Sequence, residues 1–269
     1  MIVRLGRWIS DHIVMALGLV VLAYMFVPIV VVALMSFNDP ASRAAYTFDG
    51  FTTRNWTHPC EPEGLCSALT TSLQLGLLAT VGATALGTLM AFALVRHRFR
   101  GRGTANVFIF LPMASPEVVM GASLLALFVS TGFSGVLGFW TILIAHIMFC
   151  LSFVVVTVRA RLQGMDSRLE QAAMDLYATE AQAFWKVTFP LVFPGILSAA
   201  LLAFALSFDD FIVTNFNSGQ TVTFPMYVWG VAQRDIPMQI NVVGTAMFIV
   251  AVALVFVAEL ARARRERVQ

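Results

Sequence analysis

Three carboxylates stand where carboxylates are costly. Glu117 lies inside one long apolar run, and Asp209 and Asp210 lie near the end of another, with Ser207 three residues before Asp210. An acid at the centre of a membrane-spanning helix costs at least about 2.5 kcal/mol and normally faces a bundle interior or a water-filled path. Neither run contains a Lys or Arg, so the sequence offers these acids no cation on their own helices. Two chemistries fit: transient binding of a cationic solute, or use of the same acids as a proton relay or catalytic dyad. Adjacent helix positions point about 100° apart, so Asp209 and Asp210 divide their tasks, one binding and the other capping or pairing. Ser207 shares the face of Asp210. The alternative for the pair is that the span ends near Phe208 and both acids are ordinary interface residues.

A second constellation is polar and helical. EQAAMDLYATEAQAFWKVTFP, residues 170–190, sits between two apolar runs. Ser167 with Glu170, and Thr179 with Gln182, each form a capping-box pattern, which predicts two short helices in series over about 168–176 and 180–188. Pro190 and Pro194 are expected to end this unit before the next span. Ala181, Phe184 and Val187 form a narrow apolar stripe that needs a partner. That partner is another protein, the chain's own spans, or the headgroup layer of a membrane.

Other reactive residue types yield less. No Cys/His set has metal-ligand spacing. Cys60 and Cys66 are close enough to pair in an oxidising compartment, and Cys150 reads as a small packing residue. His146 reads as a satisfied core residue rather than a proton relay. Trp56 reads either as a cation-π surface or as a packed loop tryptophan. The only lysine is Lys186, between Trp185 and Val187. A G-x-x-x-x-G-K-[ST] phosphate loop is therefore impossible in this chain.

The elements that position these groups follow from composition. With 59% hydrophobic residues, 12% charged residues and a mean hydropathy of +0.82, the chain departs from soluble domains, which are about 25% charged. Six runs are long enough to cross a hydrocarbon core as helices: 13–35, 68–95, 105–129, 139–158, 191–213 and 242–260. Arg4 and Arg7, Arg96, Arg98, Arg100 and Arg102, Arg159, Arg161, Arg168 and Lys186, and Arg262, Arg264, Arg265 and Arg267 fall on one side of this topology. Arg43, Arg54 and Arg234 fall on the other. The positive-inside bias places both termini and the 159–190 connection in the cytoplasm. Counting along a straight third helix puts Glu117 roughly 18 Å past Ala105, near the midplane, and puts Asp209 and Asp210 roughly 22–24 Å into the fifth. Pro112 and Pro116 flank Glu117 and can interrupt its helix, as at transporter binding sites. The outer loop 36–67 is expected to be irregular, and 214–241 to hold a brief re-entrant or interfacial helix.

EQAAMDLYATEAQAFWKVTFPLVFPGI resembles the EAA loop of binding-protein-dependent ABC importer permeases. PIVVVALMSFN, GFTTRNW, ALVRHRFRGRG, SPEVVMGASLL, AHIMFCLSFVVVTVRARLQGMD and LSFDDFIVTNF extend the likeness over nearly the whole chain. Together they are similar to the permeases of polyamine (spermidine/putrescine) systems, and within them to the second of the two permease subunits. The resemblance implies an all-α, single-domain integral membrane protein of six transmembrane helices with the type I importer fold. Its 159–190 loop would dock on a cytosolic ATPase through Glu170, Gln171, Ala172, Ala173, Asp175, Tyr177, Ala178, Glu180 and Phe184.

It further implies a substrate path past Glu117, Ser207, Asp209, Asp210 and Trp56 for a polyamine or related organic cation. The chain itself would be non-catalytic and bind no cofactor, with ATP and Mg on the partner. Those partners are a homologous permease, two copies of the ATPase and an extracytoplasmic binding protein, at a bacterial cytoplasmic membrane. Gln171 stands at the family's usual Glu and Tyr177 at its usual Gly. An L-residue such as Tyr adopts the left-handed conformation only at about 1–2 kcal/mol, so a less sharply bent joint is expected at 177. A self-sufficient secondary carrier is the competing reading, and it has no use for an ATPase dock.

Overall fold

A computed structural model describes residues 2–41, 47–132, 135, 137–166, 168–233 and 236–266, with side chains described from 12 to 256. Ser167, Arg43 and Arg234 lie outside the described residues. In chain order the helices are α1 (Ile2–Met35), α2 (Arg54–Thr57), α3 (Leu65–Arg96), α4 (Arg102–Ala114), α5 (Glu117–Ser130) and α6 (Phe139–Gln163). They continue as α7 (Arg168–Asp175), α8 (Glu180–Ala183), a π-turn (Phe184–Thr188), α9 (Phe189–Asp209), α10 (Ile212–Asn217), α11 (Phe224–Ala232) and α12 (Met238–Glu266). Five helical stretches are long and apolar enough to span a membrane, six when α4 and α5 count as one broken span. The protein is a multi-pass, all-helical membrane protein.

The chain divides into two compact units, 1–66 with 228–269, and 67–227. In the first, α1 packs along α12, with Phe26 edge-on to Phe248 at 6.5 Å. The loop after α1 is held by side chains and by one isolated antiparallel bridge between Asn38 and Phe51. Buried Asn38 donates to the Thr47 carbonyl and accepts from the Asp49 amide, each at 2.9 Å, and Asn55 donates to the carbonyls of Ser36 and Asn38. Phe37 is stacked between Phe51 and Trp56. A disulfide joins Cys60 to Cys66, whose Cα atoms lie 5.4 Å apart.

The second unit is built on small residues. Gly76, Gly82 and Gly87 recur along α3 with buried Ala79, Ala83 and Ala91, and small residues are what let helix backbones approach in a membrane. A Cβ at Gly87 would fall 2.6 Å from Val154 Cγ1 on α6. The core is the α6–α9 contact, where Phe149, Cys150, Val154 and Val158 meet Val192, Ala199 and Ala203. Arg159 ties α6 to α4 through Asn106 Oδ1 at 2.7 Å.

Three departures from a straight-helix reading matter for function. Pro116 forces Ser115 into an extended conformation (φ −81°, ψ 137°), and α4 and α5 meet at 110°. A depth for Glu117 counted along one straight helix is therefore void. Pro190 and Pro194 do not end the helix that starts at Glu180, which runs on to Asp209. The π-turn widens the backbone just before Pro190, with the Phe189 amide reaching back to the Phe184 carbonyl, and this relieves the clash a proline ring makes with the carbonyl four residues earlier. Finally, the fifth span stops at Asp209. Asp210 is extended (ψ 122°) and α10 resumes two residues later.

Candidate functional site

Two helix ends meet at one cleft. Glu117 is the first residue of α5 and Asp209 the last of α9, so each carboxylate is placed by a break rather than by a helix face. A cleft of about 500 Å3 is lined by Glu117, Asp209 and Asp210 among apolar residues that include Phe149, Leu206 and Phe211, with no Lys, Arg or His in its wall. Glu117 and Asp209 are exposed, and neither has a hydrogen bond or ion pair with another described residue. Glu117 gains from the partial positive charge at the start of α5. The two acids present concentrated negative charge to whatever enters.

Asp210 is different in kind. It is buried, and its Oδ2 accepts from the Thr214 amide at 2.7 Å and the Thr214 hydroxyl at 2.8 Å. Its Oδ1 lies 3.4 Å from the Val213 amide. It thus caps the first turn of α10, as acids do at helix starts. His146 is buried on α6 and lies behind it, Nε2 at 2.8 Å from Thr214 Oγ1 and 3.3 Å from Asp210 Oδ2, with Nδ1 at 2.7 Å from Ser207 Oγ. The Thr214 hydroxyl also reaches the Asp210 carbonyl at 3.1 Å, and its contact with His146 Nε2 is a hydrogen bond in either ring tautomer, the donor changing with the tautomer. Both nitrogens of His146 are satisfied within the core. Asp210 has no Lys or Arg partner among the described residues, and its polar neighbour is the His146 ring.

Ser207 is buried behind the cleft, in this network, and does not line it. Thr141 donates to the Asn217 carbonyl at 2.8 Å, and a Cβ at Gly121 would strike Phe216 at 2.8 Å, so α10 is seated against both α6 and α5. Sequence reasoning missed Thr214, although its place one turn after Asp210 is a readable i, i+4 pairing. Trp56 belongs to the other unit; its Nε1 donates to Ser36 Oγ at 3.1 Å and its ring stacks on Phe37. That is the packing of a loop tryptophan.

The second constellation lies between α6 and α9. Asp166 Oδ1 accepts the Arg168 amide at 2.9 Å at the start of α7. The capping box at Thr179 and Gln182 forms as its spacing predicts, at 3.0 and 3.3 Å. The joint between these helices keeps the left-handed residue: Tyr177 has φ +66°. Its amide bonds the Met174 carbonyl and that of Ala178 bonds the Ala173 carbonyl, the paired 5→2 and 6→1 bonds of a Schellman ending. The expectation of a relaxed joint is therefore overturned, because the two end bonds hold the conformation against the cost of a Cβ.

Leu176 is 80% exposed and Tyr177 97%. Gln171, Ala172, Asp175 and Glu180 are also exposed, while Ala173 and Ala178 are half-buried. Phe184 turns inward, its ring 5.5 Å from Phe92 on α3, so that side chain finds its partner within the chain. Glu170 also turns inward. Arg96, the last residue of α3, donates to both of its oxygens and Thr188 donates to one of them. The Arg96 guanidinium holds the Glu170 carboxyl below the usual carboxylate range, with Thr188 adding to the effect.

Comparison with known proteins agrees with this architecture. Residues 83–267 match the family described as binding-protein-dependent transport system inner membrane component. The chain is 37% identical to the spermidine/putrescine transport system permease protein PotC of Haemophilus influenzae, over 90% of this chain and 93% of that one. It is 35% identical to the putrescine transport system permease protein PotI of Escherichia coli, over 91% and 90%. A bacterial ABC transporter involved in the import of the acidic polysaccharide alginate shares its fold, with a TM-score of 0.64 at 18% identity over 94% of this chain and 96% of that one. A broken third span, an EAA-like connection and these matches converge on one conclusion: the chain belongs to the binding-protein-dependent transport family and is an ABC importer permease of the type I fold.

Proposed function

We propose that this permease carries polyamines such as spermidine and putrescine, or a closely related organic cation, inward across a bacterial cytoplasmic membrane. It does so as one half of a pathway completed by a homologous permease. The observation that carries the reading is the acidic cleft: two exposed carboxylates with no hydrogen bond or ion pair among the described residues, in a wall whose described residues include no basic side chain. The names of the PotC and PotI relatives support the same substrate class. Charge-assisted hydrogen bonds are each worth about 1.5–3 kcal/mol net. A few such contacts select an amine cation yet still release it.

Energy comes from two copies of a separate cytosolic ATPase, where ATP and Mg bind, and a binding protein delivers substrate from outside. Both termini and the α6–α9 connection face the cytoplasm, and the exposed Leu176 and Tyr177 with Gln171, Asp175 and Glu180 form the dock for the ATPase. The distribution of Arg and Lys supports this orientation. Uptake of labelled spermidine, putrescine and an uncharged amino acid by the reconstituted complex tests the substrate. Uptake of the amino acid with no competition from either polyamine would overturn it.

A further inference from the structure

Glu170 is the one carboxylate of the α6–α9 connection that does not face outward. Its side chain is 15% exposed and sits in the first turn of α7. Three elements converge on it: the end of α3 through Arg96, α7 through its own backbone, and the end of the π-turn through Thr188, which is fully buried. From that π-turn the chain runs without interruption through α9 to Asp209 at the cleft. The helical stretch from Glu180 to Asp209 has 30 residues, roughly 45 Å at about 1.5 Å per residue.

We propose that the Arg96–Glu170–Thr188 tie is the joint through which movement of α7 reaches the bases of α3 and α9, with Arg96 a positioning residue for transport that touches neither ATPase nor substrate. The inference rests on the permease reading above and deepens it. A docked helix can shift the cleft only if its movement reaches α9, which lines the cleft, and among the described residues Glu170 is the α7 side chain with hydrogen bonds to both the end of α3 and the π-turn that leads into α9. A bidentate arginine–carboxylate contact fixes direction as well as distance. The Thr188 hydroxyl adds a second attachment point on the element that leads directly into α9. Moving α7 while this joint holds must therefore pull on α9 at its first turn, at the end opposite Asp209.

The test uses the complete complex of both permeases, ATPase and binding protein in proteoliposomes, with spermidine as substrate. Arg96→Gln and Thr188→Val should still co-purify with the ATPase and hydrolyse ATP. Spermidine moved per ATP should fall about tenfold, the order of an ordinary coupling free energy between sites. The exchanged pair Arg96→Glu with Glu170→Arg should recover most of that loss. A wild-type transport ratio in both single variants overturns the proposal, as does an exchanged pair no better than its singles. If Arg96→Gln fails to assemble, the near-isosteric Thr188→Val decides the matter alone. The permease reading fails differently, in a wild-type complex that never recruits an ATPase, and the joint falls with it.

Discussion

The chain's carboxylates near its functional regions fall into two groups, and the contrast separates structure from site. Glu170 and Asp210 are filled by the chain's own donors: Arg96 and Thr188 for one, the Thr214 amide and hydroxyl for the other. Glu117 and Asp209 stand at helix ends with no such partners and open on a cleft. Asp209 and Asp210 are neighbours in sequence, yet they belong to opposite groups. The extended backbone at Asp210 turns one side chain into the core and leaves the other outside. Satisfied acids fix geometry, and unsatisfied acids are available to a ligand.

The largest effect should come from the unsatisfied group. Glu117→Gln or Asp209→Asn should reduce spermidine uptake ten- to a hundredfold or more, the equivalent of one charge-assisted contact of about 1.5–3 kcal/mol. Assembly and melting temperature should stay unchanged. Uptake at the wild-type rate in both variants would remove the cleft from the pathway. Asp210→Ala should show the reverse pattern, with instability coming first. It strips the cap from α10 and leaves the Thr214 amide and hydroxyl without their carboxylate acceptor, at about 1–3 kcal/mol for the buried donors and about 1 kcal/mol for the cap. Asp210→Asn, which keeps an acceptor oxygen, should recover much of the lost melting temperature. If Asp210→Ala is as stable as wild type and merely transport-dead, the division between the two aspartates is wrong.

Much of this was readable from residue types. Six apolar runs, the capping box at Thr179 and the polar connection between spans all follow from periodicity and cap chemistry, which act locally. The helix break around Glu117 was visible as Pro112 and Pro116, but its 110° angle was not, because a proline marks where a helix stops and leaves the direction of the next one to tertiary packing. The inward turn of Glu170 was also hidden. Its partner Arg96 lies 74 residues away in sequence, and only the fold brings them together. Tyr177 is the instructive miss: an intrinsic preference of about 1–2 kcal/mol lost to two backbone hydrogen bonds at the end of α7, a contest the residue type alone does not decide.

The satisfied group also predicts a pH response. The Glu170 carboxyl sits below its ordinary range in the folded protein, so its tie contributes stability above the ordinary carboxylate value, near 4.3. That contribution is lost only as pH falls through the lower, folded value. The difference in melting temperature between wild type and Glu170→Gln should therefore be constant from about pH 8 to about pH 5.5, and shrink below about pH 4. A difference that vanished between pH 6 and 7 would show that the tie is governed by some other group.

The smallest effect, and the sharpest probe of the dock, belongs to Tyr177. Glycine at a left-handed position removes a Cβ penalty of about 1–2 kcal/mol but adds about 0.5–1 kcal/mol of unfolded-chain entropy. Tyr177→Gly should then stabilise the α7 ending by no more than about 1.5 kcal/mol, seen as slower amide exchange at Ala178. Tyr177→Ala keeps the penalty and should exchange faster than Tyr177→Gly. Both variants lose the exposed ring, so a dock that uses the ring should weaken equally in both, measured as ATPase retained on the purified permease pair. A dock that needs only the bent joint should survive in both, because alanine carries the same penalty as the native tyrosine and keeps the two backbone bonds. The pair of substitutions thus separates the side chain offered to the partner from the backbone that aims it.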